Sequence, residues 1–300
     1  MTTNLIRLAT AILLALCASS AAAVAGSVTQ PGETVGAQAG APPPPGLYFI
    51  NTFDWGHRTG VDVDVAVTIP VLAWSTPWTL FGGRLIFLAA TPAVAVHPPG
   101  PLATNDLDIY NPLFAGQLAW DLGNGFNFSY LLGAYFDIHS QFAWSSTSLN
   151  QRFAFTYNRD GWNLTANLIW GVQFDEVSNR PQLSPCPLPF GLNGCNPNFV
   201  NLDLTATKKF GPWEIGAVAF GSTDLNRPVP TYLKQSQFAV GGLVGYDFGP
   251  FSVQAYVTTD VAEENYGGKD TRGWFRVVLP LGNPFATAQA PAPAPLVRKY

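Results

Sequence analysis

Charged side chains are scarce in this sequence. They make up 11% of the 300 residues, against about 25% in an ordinary soluble domain. Long apolar segments are also missing after residue 25, although 47% of the residues are hydrophobic. A helical membrane bundle needs segments of about 20 apolar residues, so the sequence excludes that class. A closed β-barrel is the remaining structure that can span a membrane.

Cysteine is scarce as well. Cys17 lies in an N-terminal apolar run, and Cys186 and Cys195 lie in a segment rich in proline and glycine. Because an exported chain meets an oxidising compartment, we predict a disulfide between Cys186 and Cys195. The alternative is a metal site, but no second Cys or His pair lies nearby, so no metal is predicted.

Sequence signatures of catalysis are missing too. The motif Gly-x-Ser-x-Gly is absent, and the spacing of His139 and Ser140 does not make a catalytic pair. His57, His97 and His139 fall in or beside predicted loops, where solvated side chains are expected and a loose metal site is the alternative. The net charge of −4 argues against a nucleic-acid partner. The sequence therefore predicts no enzyme, no cofactor and no nucleic acid.

The two ends of the chain differ from its middle. Residues 1–23 predict a signal peptide, because Arg7 precedes a short apolar run and small residues follow it. The alternative, a membrane anchor, would need about twice that apolar length. Residues 24–45 predict a Pro-rich periplasmic leader without packing of its own, and residues 282–300 an Ala/Pro-rich tail.

Between these ends, apolar and polar residues alternate with a period of two. The alternation is clearest over 162–175, where the even positions are apolar and the odd positions polar, and it recurs over 126–137 and 251–260. Over 61–73 the valines form one face and aspartates lie on the other. These runs exceed the usual five or six residues of soluble strands and approach the roughly 9 to 11 that cross a bilayer. Their length favours a membrane barrel over a soluble sandwich.

About twelve such runs fill residues 46–281, and short connections alternate with longer ones. Outer-membrane barrels have this alternation of turns and loops together with an even number of strands. We therefore predict an all-β, transmembrane, antiparallel up-and-down β-barrel of about 12 strands in the outer membrane. Five tryptophans beside the short connections predict an aromatic girdle, with sandwich core ends as the alternative: Trp74, Trp78, Trp120, Trp162 and Trp213.

The polar face of each strand is expected to line the lumen. An Arg or Lys on the lipid side costs about 2 to 4 kcal/mol at the midplane, so arginines in strands should point inward. These side chains either select solutes or pair with one another and close a narrow barrel. The candidates for the substrate pathway are Asp62, Asp64, Arg84, Gln117, Asp137, Arg152, Asn163, Asn167, Gln173, Asp175, Asn201, Asp203, Lys209, Glu214, Gln254 and Arg276.

Several segments over 41–281 resemble one known family. They include Phe155-Thr-Tyr-Asn-Arg-Asp-Gly-Trp, Lys208-Lys-Phe-Gly-Pro-Trp and Trp274-Phe-Arg-Val-Val-Leu-Pro-Leu. In this order they resemble the outer-membrane family of meta-pathway phenol-degradation transporters. The resemblance implies a passive role in the uptake of aromatic or other apolar small compounds. Apolar residues on the polar face, among them Tyr135 and Ile169, predict a mixed interior that suits such a solute.

Three functional hypotheses follow from the sequence. The first is an outer-membrane channel or passive transporter for small organic compounds. The second is a structural or adhesive surface barrel with a closed lumen, and the third is a soluble secreted β-sandwich. Under the first hypothesis the expected partners are outer-membrane lipids, the barrel assembly machinery and a small organic solute.

Overall fold

The computed structural model describes residues 27–97, 106–140, 143, 145–177 and 195–283. The predicted signal peptide, Cys186 and the tail from residue 284 onward lie outside these ranges. Within the described ranges the regular structure is all β, and no helix is long and apolar enough to cross a bilayer. The described residues form fourteen strands: β1 Gly46–Arg58, β2 Val63–Leu80, β3 Gly83–Ala90, β4 Ala93–His97, β5 Asp106–Ile109, β6 Leu113–Gly123, β7 Phe126–Tyr135, β8 Ser148–Tyr157, β9 Trp162–Gln173, β10 Phe199–Phe210, β11 Trp213–Asp224, β12 Ser236–Asp247, β13 Ser252–Glu264 and β14 Asp270–Gly282.

The strands form one closed antiparallel barrel. Consecutive strands from β6 to β14 pair in sequence order, and β1 pairs with both β14 and β2. β1 and β14 keep one register from Tyr48 opposite Pro280 to Arg58 opposite Asp270, after a register shift between Leu47 and Tyr48. The ring contains twelve strand positions, which confirms the predicted up-and-down barrel of about 12 strands.

The fourteen strands occupy twelve places in the ring, because two of these places each contain two strands separated by a proline. β3 pairs with the second half of β2 and β4 with its first half, with Pro92 between them. β6 pairs with β3 and β5 with β4, with Pro112 between them. Proline has no N–H to donate to a ladder, so each long strand is divided where it occurs.

The alternation of faces is confirmed along most of the wall. In β9, Trp162 and Leu164 are about two-fifths exposed on the outside, whereas Asn163 and Thr165 are buried inside. At the short-turn end, Trp213 contacts Tyr246 with ring centroids 4.7 Å apart, and Trp120 stacks on Phe128. Exposed apolar side chains therefore cover the outer surface, as they do on lipid-facing barrels.

β2 is the exception to the predicted orientation. Its residues Val63, Val65, Val67 and Ile69 are buried and belong to the apolar cluster that includes Val28 inside the barrel. Val67 lies opposite the buried Asp54 of β1, and the two face the lumen together. The prediction that the valine face meets lipid is therefore wrong.

The leader is the largest difference from the sequence-based expectation. Residues 27–40 lie inside the barrel, where Thr29 and Val35 have no exposed surface, and residues 41–45 connect them to β1. The leader forms successive turns, with the N–H of Glu33 donating to the carbonyl of Gln30 and that of Val35 to the carbonyl of Gly32. It runs from the short-turn end, where β1 begins, to the half of the lumen nearer the long loops. The expectation of a segment without packing is wrong for these residues.

Candidate functional site

The site is the lumen, where wall side chains hold the leader. Asp203 lies near the middle of β10 and is buried. Its carboxylate accepts hydrogen bonds from the N–H of Gly32 at 2.9 Å, the N–H of Thr34 at 3.0 Å and the hydroxyl of Thr34 at 2.6 Å. Three donors on one carboxylate form a charge-assisted clamp on the first turns of the leader.

Gly32 allows the leader to approach the wall at this clamp. Its φ of +87° lies in the left-handed region that glycine adopts without strain. A Cβ at this position would lie 2.6 Å from Cδ1 of Phe220, a buried side chain of β11. Any other residue would have to displace either the leader or this ring.

An ion pair joins the leader to β8. An Oε1 atom of Glu33 lies 2.6 Å from NH1 of Arg152, and the two side chains are 9% and 11% exposed. Arg152 also donates to Oδ1 of Asn150 at 2.8 Å and to the hydroxyl of Tyr135 at 3.2 Å. Burial of either charge alone is costly, so each depends on the other.

Arg276 of β14 holds the backbone of the leader. Its guanidinium donates to the carbonyl of Val35 at 2.6 Å and to the carbonyl of Glu33. The same group donates to the hydroxyl of Thr52 on β1 and to Oε1 of Gln254 on β13. One side chain therefore connects the leader with three strands around the closure of the barrel.

Amides and hydroxyls bind the remainder of the leader. Gln117 and Ser129 donate to the carbonyl of Ala39, at 3.1 and 2.8 Å. Asn163 donates to the carbonyl of Gly36, and Asn167 donates to the hydroxyl of Thr34. The polar wall thus supplies partners that the turns of the leader cannot supply for their own buried backbone.

A second charged cluster lies nearer the long loops. Arg272 pairs with Asp54 and, at 2.7 Å, with Asp270. Arg58 lies 3.4 Å from Asp270 and 3.8 Å from Asp260, and all five side chains are buried. The sequence-based set of candidates omits these five residues. The sequence of β1 could have indicated two of them, because Asp54 and Arg58 share one face of the strand and the apolar Phe53 and Trp55 lie on the other.

Tyr232 closes the β11–β12 loop over this end of the barrel. Its hydroxyl donates to Oδ2 of Asp224 at 2.8 Å, and the same oxygen accepts the N–H of Gln235. Burial, followed by the neighbouring Asp224 carboxyl group, raises the pKa of Tyr232. The phenol therefore stays protonated and keeps its role as a donor.

A cavity of about 40 Å³ separates the leader from the β2–β4 wall. Its lining combines apolar side chains of β2 and β4 with charged side chains of the leader, β1 and β14, and includes two tyrosines. At about 10 to 15 Å³ for each water, it has room for about three water molecules. The hydroxyl of Tyr110 in its lining has no hydrogen-bond partner among the described residues. The lining includes Val65, Val67, Ile69, Val94, Tyr110, Tyr135, Glu33, Arg58, Asp270 and Arg272.

Most of the predicted lumen residues do face the interior. Glu214 hydrogen-bonds with Thr207 and Gln254, Gln173 is buried at the end of β9, and Arg84 donates to the carbonyl of Thr76 at 3.3 Å. The candidates that contact the leader directly are Gln117, Arg152, Asn163, Asn167, Asn201, Asp203, Gln254 and Arg276.

The other candidates lie away from this site. Asp62 is an exposed turn residue, and Asp64 lies on the outer face, where it contacts Nδ1 of His57 at 2.7 Å. Both were predicted to face the lumen, and both placements are wrong because β2 turns its valines inward. Asp137 and Asp175 follow the ends of β7 and β9, and Lys209 is exposed near the short-turn end.

The predicted disulfide stays a prediction. Cys195 is buried at 1% exposure, and Cys186 lies outside the described residues. In the part of the chain that the structure describes, no group of three His, Cys, Asp or Glu side chains is arranged to hold a metal ion.

Known structures resemble this barrel. An outer membrane channel from Pseudomonas putida F1 is 12% identical, with a TM-score of 0.58 over 80% of this chain and 97% of the channel. The β domain of the Bordetella autotransporter BrkA is 9% identical, with a TM-score of 0.48 over 77% of this chain and 98% of that domain. At 12% identity, the likeness to the channel shows a shared fold. The closed barrel and its apolar exterior place the chain in the outer membrane.

Sequence comparison identifies the family. No curated protein matches the chain. A family model matches residues 29–277, which include most of the leader and almost the whole barrel. The luminal leader is thus part of the matched region together with the wall. The chain belongs to the family described as "Putative MetA-pathway of phenol degradation".

Proposed function

We propose that this protein is an outer-membrane channel for small organic compounds, including phenol-like aromatics, and that the leader occupies its lumen at rest. The observation that carries this proposal is the mixed lining of the cavity beside the leader. Val67 and Ile69 supply apolar surface, and Arg58 and Asp270 supply charged groups. Binding sites for small organic molecules combine an apolar surface with a few polar groups in this manner.

A phenol-like solute matches both the apolar and the polar part of this lining. Its ring gains about 25 cal/mol for each Å² of apolar surface removed from water. Its hydroxyl meets the buried Tyr110 hydroxyl, which lacks a partner among the described residues. An unpaired buried hydroxyl is costly, so a ligand that supplies the missing hydrogen bond is favoured over an isosteric hydrocarbon.

Passage requires the leader to move, because the cavity is too small to be a continuous pore. In the described structure, the backbone–backbone hydrogen bonds of the leader are all internal. It is held to the wall through side chains, among them Asp203, Arg152 and Arg276. A segment held in this way can leave without breaking the ladder of the barrel.

Planar-bilayer recordings test the proposal. We expect rare opening steps for the natural protein and frequent ones for Asp203→Asn, which weakens the clamp on Gly32 and Thr34. Catechol should cause brief current blocks in the open state, and arabinose at equal concentration should not. The matched control is Asp160→Asn, at an exposed turn outside the lumen. If neither the natural protein nor Asp203→Asn ever opens, the channel proposal is wrong.

The second candidate function is a structural surface barrel with a closed lumen. The filled lumen favours it, because Glu33 and Arg152 satisfy each other's charge without any solute. The recordings separate the two proposals, since a structural barrel gives no steps and no catechol blocks.

A further inference from the structure

We propose that Arg152, with Tyr135 and Asn150, forms a binding site for the carboxylate of small apolar anions, and that Glu33 of the leader occupies it as an internal competitor. This inference rests on the proposed channel function and deepens it. It assigns a chemical class of ligand to one point in the lumen and a self-blocking role to one leader residue.

The geometry of the pair supports the assignment. Arg152 is fixed in the β8 ladder, between Leu131 of β7 and Ile169 of β9. Asn150 and Tyr135 bind two of its nitrogens, at 2.8 and 3.2 Å, which leaves NH1 for the carboxylate 2.6 Å away. Planar guanidinium groups recognise carboxylates of any origin through such charge-assisted hydrogen bonds. The wall therefore supplies a preorganised anion site.

Glu33 is the exchangeable partner in this pair. It belongs to the leader, whose backbone forms no ladder with the wall in the described structure. When the leader moves, the carboxylate of Glu33 leaves with it, and the guanidinium of Arg152 faces the opened lumen without a carboxylate partner. A positive charge held by the wall in this way attracts a small anion that enters the lumen.

The cavity beside this pair selects the body of the anion. Glu33 and Tyr135 both line the cavity, together with Val67 and Ile69. A carboxylate placed on Arg152 therefore has apolar surface next to it on the β2 side. The matching ligand is a monocarboxylate with a compact or flat apolar body, such as an aromatic acid. A neutral aromatic of the same shape lacks the group that Arg152 requires.

Competition predicts the effect of removing the internal carboxylate. The apparent affinity of the site equals its intrinsic affinity multiplied by the fraction of molecules in which Arg152 is free. Glu33→Gln raises that fraction, because an amide is a weaker partner for a guanidinium than a carboxylate is. Benzoate should therefore bind at least about tenfold more tightly to this variant, which corresponds to about 1.4 kcal/mol.

Equilibrium dialysis of the full-length protein in detergent tests this inference, with benzoate and the neutral isostere benzamide as probes. We expect Glu33→Gln to gain affinity for benzoate and not for benzamide. Arg152→Gln should lose the preference for benzoate. The double variant Glu33→Gln/Arg152→Gln should lose it too, and because it buries no unpaired charge it serves as the test if Arg152→Gln fails to fold. Asp160→Asn, at an exposed turn outside the lumen, is the matched control and should bind both probes as the natural protein does.

Two results would overturn the inference. One is an equal gain for benzoate and benzamide in Glu33→Gln, which would mean that only the leader was loosened. The other is a benzoate preference that survives in the double variant. The channel proposal fails by a different measurement. It is wrong if no variant conducts, whatever the dialysis shows. Conductance together with binding that ignores Glu33 and Arg152 keeps the channel and rejects the carboxylate site.

Discussion

Asp203 is a single acid that holds the start of the leader through three hydrogen bonds. We expect Asp203→Asn to weaken the leader's attachment by about 1 to 3 kcal/mol, because charge-assisted bonds become neutral and one acceptor becomes a donor. Limited proteolysis should then cut the leader while the barrel strands stay intact. Asp160→Asn, at an exposed turn, should leave the cleavage rate unchanged, and equal rates in both variants would contradict the clamp.

The Glu33–Arg152 pair makes a prediction of non-additivity. Arg152→Met alone should lower the free energy of unfolding by about 3 to 5 kcal/mol, because it leaves the Glu33 carboxylate buried without its partner. Adding Glu33→Gln to that variant should restore part of the loss. Urea unfolding followed by heat-modifiable gel mobility measures both variants. Additive losses would show that the two side chains do not depend on each other.

Gly32 makes a prediction about the fit of the leader. Gly32→Ala places a Cβ 2.6 Å from Cδ1 of Phe220 and also strains the positive φ. We expect the leader to be displaced, with faster proteolysis and more frequent channel opening. Gly82→Ala is the control, since its φ is also positive but no atom lies within 4 Å of the added Cβ. The same phenotype in both variants would mean that backbone strain alone is responsible.

At the scale of the element, the strands were predictable and the direction of one face was not. A period of two gives two faces for every strand, and in β9 one face is clearly apolar. In β2 both faces contain apolar residues, because Ala66, Pro70 and Leu72 lie opposite the valines. Alternation cannot tell which of two such faces meets lipid. The interior at this place is apolar because Val28 of the leader packs there, and the pattern of β2 alone does not contain that information.

The leader was missed for a related reason. Its proline, glycine and small residues have no apolar period and resemble an unpacked linker. It is packed because wall residues such as Asn163 and Arg276 bind its backbone carbonyls, and these partners lie more than a hundred residues away in sequence. The sequence gives only a partial indication that the wall binds the leader, namely the many polar side chains on the lumen face of the strands.

The orientation of β2 is open to a direct test. We expect a bimane label on Ala66→Cys to be quenched by brominated lipid and one on Val67→Cys to be protected, because these neighbours lie on opposite faces. Quenching in reconstituted vesicles measures the difference. The reverse order would restore the outward valine face that the sequence suggested.

For the whole molecule, the central question is whether the leader and the flow of solute exclude each other. Nδ2 of Asn167 lies 3.0 Å from the hydroxyl oxygen of Thr34, so the two side chains are in contact, and a disulfide engineered between these positions would tether the leader to β9. We expect Thr34→Cys/Asn167→Cys to be silent in planar bilayers when oxidised and to recover its openings under reductant. The natural protein, treated identically, controls for Cys186 and Cys195. Openings that persist in the oxidised variant would show that solutes pass without moving the leader.

The position of the leader also constrains biogenesis. β1 begins one residue after Pro45, and β1 and β14 form the seam of the ring. Arg276 on β14 grips the leader and Thr52 of β1 at once. We therefore expect the leader to lie on the concave side of the open sheet before β1 pairs with β14. Insertion of the leader into a barrel that has already closed would require it to pass through the end of the barrel. In this order of assembly, Arg276 binds the leader and Thr52 at the step in which the first and last strands pair.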